Sequence, residues 1–226
     1  MALRNDWTRR QPALDFTSKP RRGLARRFRY RGAVGVYRNV IRAHRPAHPT
    51  GRCITPGRSI RNVHERWLPA DPTTVWELLQ QLGTGDDVVW PARNWAPITL
   101  NGPLQVGVSA GHGAVRYHCT ALIPRRLIEF TFDSVAGRHL DGHHAFELFD
   151  RAGGTLLRHT IDAEVLNRFA VLNFRLFIQP THDVVTEELL TNVERLVGGS
   201  MRRLPRWSPW VRYLRHRRGL PIRPTP

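Results

Sequence analysis

The sequence predicts an α+β fold in which a curved antiparallel sheet wraps around a long C-terminal helix. Three observations lead to it. The hydrophobic period changes from helical to alternating near Leu104 and returns to helical after Glu164. The alternating segments are joined by short turns, which suit antiparallel neighbours and leave no room for crossovers. The last helical stretch is long and amphipathic and stops at Gly198-Gly199, so it must bury its apolar side against the sheet.

Taken in order, residues 60–68 form the first predicted strand. Asp71-Pro72 then supplies an N-cap and a proline at the first helical position. Val75, Trp76, Leu79 and Leu82 share one face, so a helix is predicted over 72–82, stopped by Gly83. Residues 84–103 hold Trp90-Pro91, Trp95, Pro97 and Gly102 and read as an irregular, aromatic-rich connection. Strands are predicted at 104–109, 114–123, 127–133 and 142–150, with turns at 111–113 and 124–126, and a fifth at 155–164 after the turn at 151–154. Phe169, Leu172 and Leu176 restart a helical period. Beyond Pro180 it continues through Val184, Val185, Leu189, Val193, Leu196 and Val197, with Thr181 or Asp183 to cap this second piece.

The charge is divided unevenly. The 226 residues carry 35 Lys plus Arg against 18 Asp plus Glu, a formal charge of +17. Residues 1–60 have 15 basic and 2 acidic side chains, residues 200–226 have 8 basic and none acidic, and the stretch between them has a net charge of −4. The expected organisation is therefore a basic, largely flexible arm over 1–59, a mildly acidic domain over 60–199, and a Trp/Arg-rich tail over 200–226. Within the arm, Val34, Tyr37 and Ile41 recur at helical spacing opposite Arg38, Arg42 and Arg45, the pattern of a short basic amphipathic helix. The tail sets Trp207, Trp210, Val211 and Leu214 against Arg206, Arg212, Arg215, Arg217 and Arg218. Such chemistry suits an anionic membrane surface; the alternative is that both stripes pack on the domain. Neither tail has a nucleic-acid recognition motif and the acidic middle offers no continuous basic face, so nucleic acid is not an expected partner. No apolar run is long enough to span a bilayer, and Arg4, Asp6, Arg9 and Arg10 interrupt the start, so the expectation is a cytoplasmic, soluble protein, or at most one that associates peripherally with a membrane surface. Cys53 and Cys119 lie far apart in segments of different character, which offers neither a disulfide framework nor a paired-cysteine metal site.

Several stretches resemble the SRPBCC superfamily, the helix-grip fold of START lipid-transfer domains, birch-allergen-like proteins and polyketide cyclase/dehydrase-like proteins. They are the run from Val63 to Trp76 (VHERWLPADPTTVW), Gly111 to Tyr117 (GHGAVRY), His144 to Leu148 (HAFEL), Gly153 to His159 (GGTLLRH) and Pro180 to Asp183 (PTHD). The resemblance covers about residues 60–198 and includes neither tail. It implies a cavity between sheet and C-terminal helix that binds a small hydrophobic ligand such as a polyketide, isoprenoid or lipid. The other activity it implies is a cyclase- or dehydratase-like enzyme.

Alternation places Tyr117, then Phe130 and Phe132, then His144 and Phe146, then His159 on the faces turned toward the helix. It also places Glu65, alternating with Val63 and Trp67, inside, and brings His182 in from the start of the last helix. His144 and His159 are the candidate catalytic bases, with Glu65 as the carboxylate that orients them. Glu65, Trp67, Trp95, Tyr117, Phe130, Phe132, Phe146 and His182 are the ligand-lining candidates. The same histidines would equally serve to hydrogen-bond the interior and fix the sheet. His112, between two glycines, reads as a turn residue. Neither HExxH nor paired cysteine spacing is present, so no metal site and no cofactor are expected.

Overall fold

A computed structural model describes residues 58–137, 139–165, 167–199 and 205–220. The expected N-terminal arm, with its helix at 34–45, lies outside the described residues.

Seven strands form one antiparallel sheet. They are β1 (Arg58–Leu68), β2 (Thr99–Leu100), β3 (Ser109–His112), β4 (Val115–Ile123), β5 (Leu127–Val135), β6 (Asp141–Arg151) and β7 (Gly154–Val165), in the spatial order β1-β7-β6-β5-β4-β3-β2. From β3 to β7 each strand pairs with the next through a short turn, and β1 returns to pair with β7 along its whole length. Two register shifts between β4 and β5, one leaving Asp133 and one leaving Thr120 as the extra residue, bend the sheet.

Helix α1 (Pro72–Leu79) starts where Asp71 accepts from the backbone N–H groups of Thr73 and Thr74, and it buries Val75, Trp76 and Leu79. It ends one turn short of the predicted 82, although Leu82 is still buried. The predicted strand at 104–109 is not formed. These residues make turns, and the strand begins at Ser109 and runs through His112, so His112 is a strand residue and not a turn residue.

Beyond β7 the chain forms α2 (Arg168–Asn173), π-helical turns at Phe174–Ile178, and α3 (Gln179–Leu196) without a break. Pro180 does not split the helix. Its ring has no N–H, so the carbonyl of Leu176 lacks the usual partner four residues on. The indole Nε1–H of Trp210 donates to that carbonyl instead, at 2.6 Å. The wider π-helical turns fall where the proline disturbs the ladder. Neither Thr181 nor Asp183 caps: Thr181 Oγ1 donates to Ile178 O, and Asp183 turns to β1. The end is as expected, with Gly198 at φ +74° and Gly199 N–H donating to Glu194 O.

Helix α3 buries Val184, Val185, Leu189, Leu190 and Val193, and it packs against β1. Helix α4 (Pro209–His216), capped by Ser208, then packs on α3; it buries Leu214, and Val211 beside Trp207 and Val184. The C-terminal Trp/Arg stretch thus has one stripe against the domain, while Trp210 and Tyr213 stay exposed. Phe169, Leu172 and Leu176 lie on the outside, Phe169 with 73% of its surface exposed. No helix among the described residues is long and apolar enough to cross a membrane. The architecture is the helix-grip arrangement: a curved antiparallel sheet with its inner face against the long C-terminal helix.

Candidate functional site

Pleating turns alternate residues of β4 to β7 toward the face that α3 covers. Tyr117, Phe130, Phe132, His144, Phe146 and His159 are all buried there, as alternation predicts. His144 lies at the centre. Tyr117 meets it edge-on with ring centroids 4.6 Å apart, and Phe130 and Phe132 stack against it at 5.1 and 5.2 Å. His159, packed on Phe146 at 4.7 Å, is the next ring along, 5.7 Å from His144. His182 follows from α3 at 5.2 Å from His159, and His64 from β1 lies 6.0 Å beyond it. At the opposite end the His112 ring is 5.7 Å from Tyr117, shares a 3.1 Å hydrogen bond with its hydroxyl, and rests on Trp90. Five imidazoles contributed by β1, β3, β6, β7 and α3 therefore form one row through the interior.

Burial disfavours a charge along most of this row. It pushes the His144, His159 and His182 imidazoles well below their ordinary range, each helped by neighbouring histidines. His112 is lowered to about 4 by burial, with the Arg116 guanidinium adding to the effect. His64 is the exception. Burial works against its charge there too, but hydrogen bonds and charges from Asp183 and Glu187 outweigh it and raise the imidazole to about 9. The row thus runs from neutral rings to a cation held by two carboxylates. Among the described residues, buried His144 Nε2, His159 Nδ1 and His182 Nδ1 have no hydrogen-bond partner.

The first strand has the opposite phase to the one expected. Glu65 and Trp67 face outward: Glu65 pairs with Arg158 across the outer surface at 2.6 Å, and Trp67 keeps 49% of its surface exposed. The inward set is Ile60, Asn62, His64, Arg66 and Leu68. Val63 and Trp67 look like core residues by hydropathy, yet α3 presents Asp183, Glu187 and Glu194 to this strand, and only a strand turning polar and basic groups inward can match them. Asn62 donates to Asp183 (2.9 Å), His64 Nδ1 lies 2.8 Å from Glu187, and Arg66 bridges Glu187 (2.7 Å) and Glu194. The readable signal was the acidic spacing on α3, since Asp183 and Glu187 are one turn apart and Glu194 is two turns further on.

Trp95 belongs to a different assembly. Its indole donates to Glu188 at 2.8 Å, Trp207 donates to the other oxygen of Glu188 at 2.8 Å, and the Arg215 guanidinium lies 4.5 and 4.3 Å from the two indole rings while donating to Asn94 O. Trp95 therefore anchors α4 and does not line the imidazole row. Two depressions among the described residues lie elsewhere. One of about 440 Å³ is bordered by Arg168, Val171, Leu172 and Arg175, and one of about 330 Å³ lies beside β2 and β3. The inner sheet face is lined by its own buried aromatic side chains.

Chemically, a neutral imidazole with a free nitrogen can accept or donate a hydrogen bond and can take a proton. His144 and His159 meet that condition but lack the orienting carboxylate that Glu65 was expected to supply. Within the row, the carboxylates of Asp183 and Glu187 lie at hydrogen-bond distance from His64.

No family model matches the chain, and no curated protein does. Among solved structures, CalU16 from Micromonospora echinospora has 16% identity over 74% of this chain and 89% of its own, with a TM-score of 0.47. A protein from Nitrosospira multiformis has 14% identity, covering 64% of this chain and all of its own, with a TM-score of 0.48. The Aha1 dimer from Colwellia psychrerythraea has 18% identity, covering 60% and 96%, with a TM-score of 0.41. These are likenesses of fold and carry no argument about ligand or reaction.

Proposed function

We propose that the chain binds a small, largely apolar molecule with one hydrogen-bonding group, seated between the inner sheet face and α3. Its polar group would lie against His144 and His159, and its apolar body against Tyr117, Phe130, Phe132 and Phe146. The observation that carries this reading is the pair of buried, unpartnered nitrogens, His144 Nε2 and His159 Nδ1. Each buried polar atom left unpaired costs about 1–3 kcal/mol, and a ligand donor or acceptor offsets that cost. Binding requires the aromatic lining to part, and the π-helical turns at Phe174–Ile178 are the place where the covering helix can yield. A polyketide, an isoprenoid or a lipid answers the description. Native mass spectrometry of the full chain purified from its own host tests the proposal. Wild type should retain a small molecule that the His144→Phe/His159→Phe variant does not. A wild-type protein of bare polypeptide mass, or equal retention by the variant, contradicts it.

One observation favours a second reading, acid–base catalysis on the same molecule: each of the two imidazoles has a ring nitrogen without a hydrogen-bond partner among the described residues, where a reacting proton could be taken up. If the retained molecule exchanges a carbon-bound proton with deuterated solvent on wild type but not on His144→Phe, the site is catalytic.

An anionic membrane is the proposed source of the ligand. Exposed Phe169, Leu172, Leu176, Phe177, Trp210 and Tyr213 lie on α2, the π-helical turns and α4, which the Trp210–Leu176 hydrogen bond joins, and Arg168, Arg175 and Arg212 flank them. Cosedimentation of the full chain with phosphatidylglycerol vesicles, absent with phosphatidylcholine alone and weakened by Phe169→Ser/Trp210→Ser, is the expected result. No binding, or binding indifferent to lipid charge, removes the membrane from the account.

A further inference from the structure

Where β1 meets the first turns of α3, His64, His182 and Asp183 each offer one ligand atom, and these atoms all lie within 4.8 Å of one another. His64 Nε2 is 3.1 Å from Asp183 Oδ1. Two donors about 2.0–2.1 Å from one tetrahedral ion stand roughly 3.3 Å apart, so this pair is already at ligand spacing. The groups around it do what supporting groups of metal sites do. Glu187 takes the Nδ1–H of His64 at 2.8 Å, which leaves Nε2 as the coordinating nitrogen, and Arg66 holds Glu187 from its other oxygen at 2.7 Å. Asn62 Nδ2 donates to Asp183 Oδ1 at 2.9 Å and fixes that carboxylate.

Two further observations point to a cation. His182 Nδ1 is buried and has no hydrogen-bond partner among the described residues. The carboxylates of Asp183 and Glu187 flank the His64 ring, 3.1 Å from its Nε2 and 2.8 Å from its Nδ1.

We propose that His64, His182 and Asp183 bind a divalent transition-metal ion of the zinc class, which replaces the proton between His64 Nε2 and the oxygens of Asp183 and Asn62. Imidazole and carboxylate donors suit zinc and cobalt better than calcium or magnesium. Three protein ligands leave a fourth position open to water or to a donor atom of a bound molecule. The ion site does not depend on the hydrophobic-ligand reading, because neither His144 nor His159 takes part.

Titration of the chelator-stripped full chain with Co²⁺ tests it. The expected result is a visible d–d spectrum of tetrahedral intensity that saturates at one ion per chain, is abolished by Zn²⁺, and is accompanied by a Zn²⁺-dependent rise in Tm. His182→Ala should weaken binding at least tenfold. Glu187→Gln, which keeps every ligand but loosens His64, should weaken it by about 10- to 100-fold. His216→Ala, an exposed histidine on α4, should leave binding unchanged. Absence of both the Co²⁺ spectrum and the Zn²⁺ shift in wild type overturns the proposal. A spectrum that survives intact in a folded His182→Ala/Asp183→Asn variant overturns it equally, since the ion then sits on other histidines.

Discussion

At the scale of single residues, the buried imidazoles tie stability to pH. His112 and His144 are both held below the ordinary imidazole value of 6.5 by burial, His112 at about 4. Their unfolded forms bind protons that the folded forms refuse, so their stabilising contribution is complete above pH about 6.5 and is lost as pH falls toward the folded values. In urea melts, stability should therefore decline between pH 7 and pH 5, with a slope approaching about 1.4 kcal/mol per pH unit for each histidine. His144→Phe, placed between Phe130 and Phe132 where an aromatic ring fits, should flatten that slope. Stability that rises on acidification would show that the row is not neutral.

At the scale of elements, the pairing of β1 with α3 decides which residues face inward. Arg66→Met removes the buried guanidinium that joins Glu187 and Glu194 and should cost about 3–5 kcal/mol. Glu65→Ala, on the outer face beside Arg158, should cost less than about 1 kcal/mol. Chemical denaturation of the two variants measures the difference, and equal costs would mean that the strand phase is wrong. This strand also shows where the sequence could be read and where it could not. The meander from β4 to β7 was legible because each strand has one apolar side, and a period of two then places Tyr117, Phe130, Phe132, His144, Phe146 and His159 inward, although it slips at the two register shifts between β4 and β5. In β1 that rule misleads. Its inward side is polar and its outward side includes Val63 and Trp67, so the assignment depends on charges more than a hundred residues away on α3. His64 was missed for that reason. His112 was missed because it stands at the end of short β3 between Gly111 and Gly113, a pattern that resembles a turn. The continuity of α2 and α3 through Pro180 was hidden too, because it rests on the freed Leu176 carbonyl finding a partner in Trp210.

At the scale of the whole molecule, the C-terminal stretch completes the domain. Glu188 is buried and accepts from Trp95 and Trp207, and Arg215 lies against both indoles. Trp207→Ala should cost about 3–5 kcal/mol, through the cavity it leaves and the hydrogen bond Glu188 loses. Differential scanning calorimetry measures it; an unchanged Tm would mean that α4 is only loosely attached. Helix α4 in turn braces the π-helical turns through Trp210, so it steadies the segment that must move when the sheet face takes up a ligand. The central claim is that this buried face, and not a surface depression, is where a ligand binds. Side-chain ¹H–¹⁵N NMR of histidine-labelled full chain tests it most directly, with an organic extract of the native host as the added probe. The account predicts that His144 and His159 ring nitrogens shift while exposed His118 and His216 do not. Shifts confined to the exposed histidines, or none at all, would contradict it.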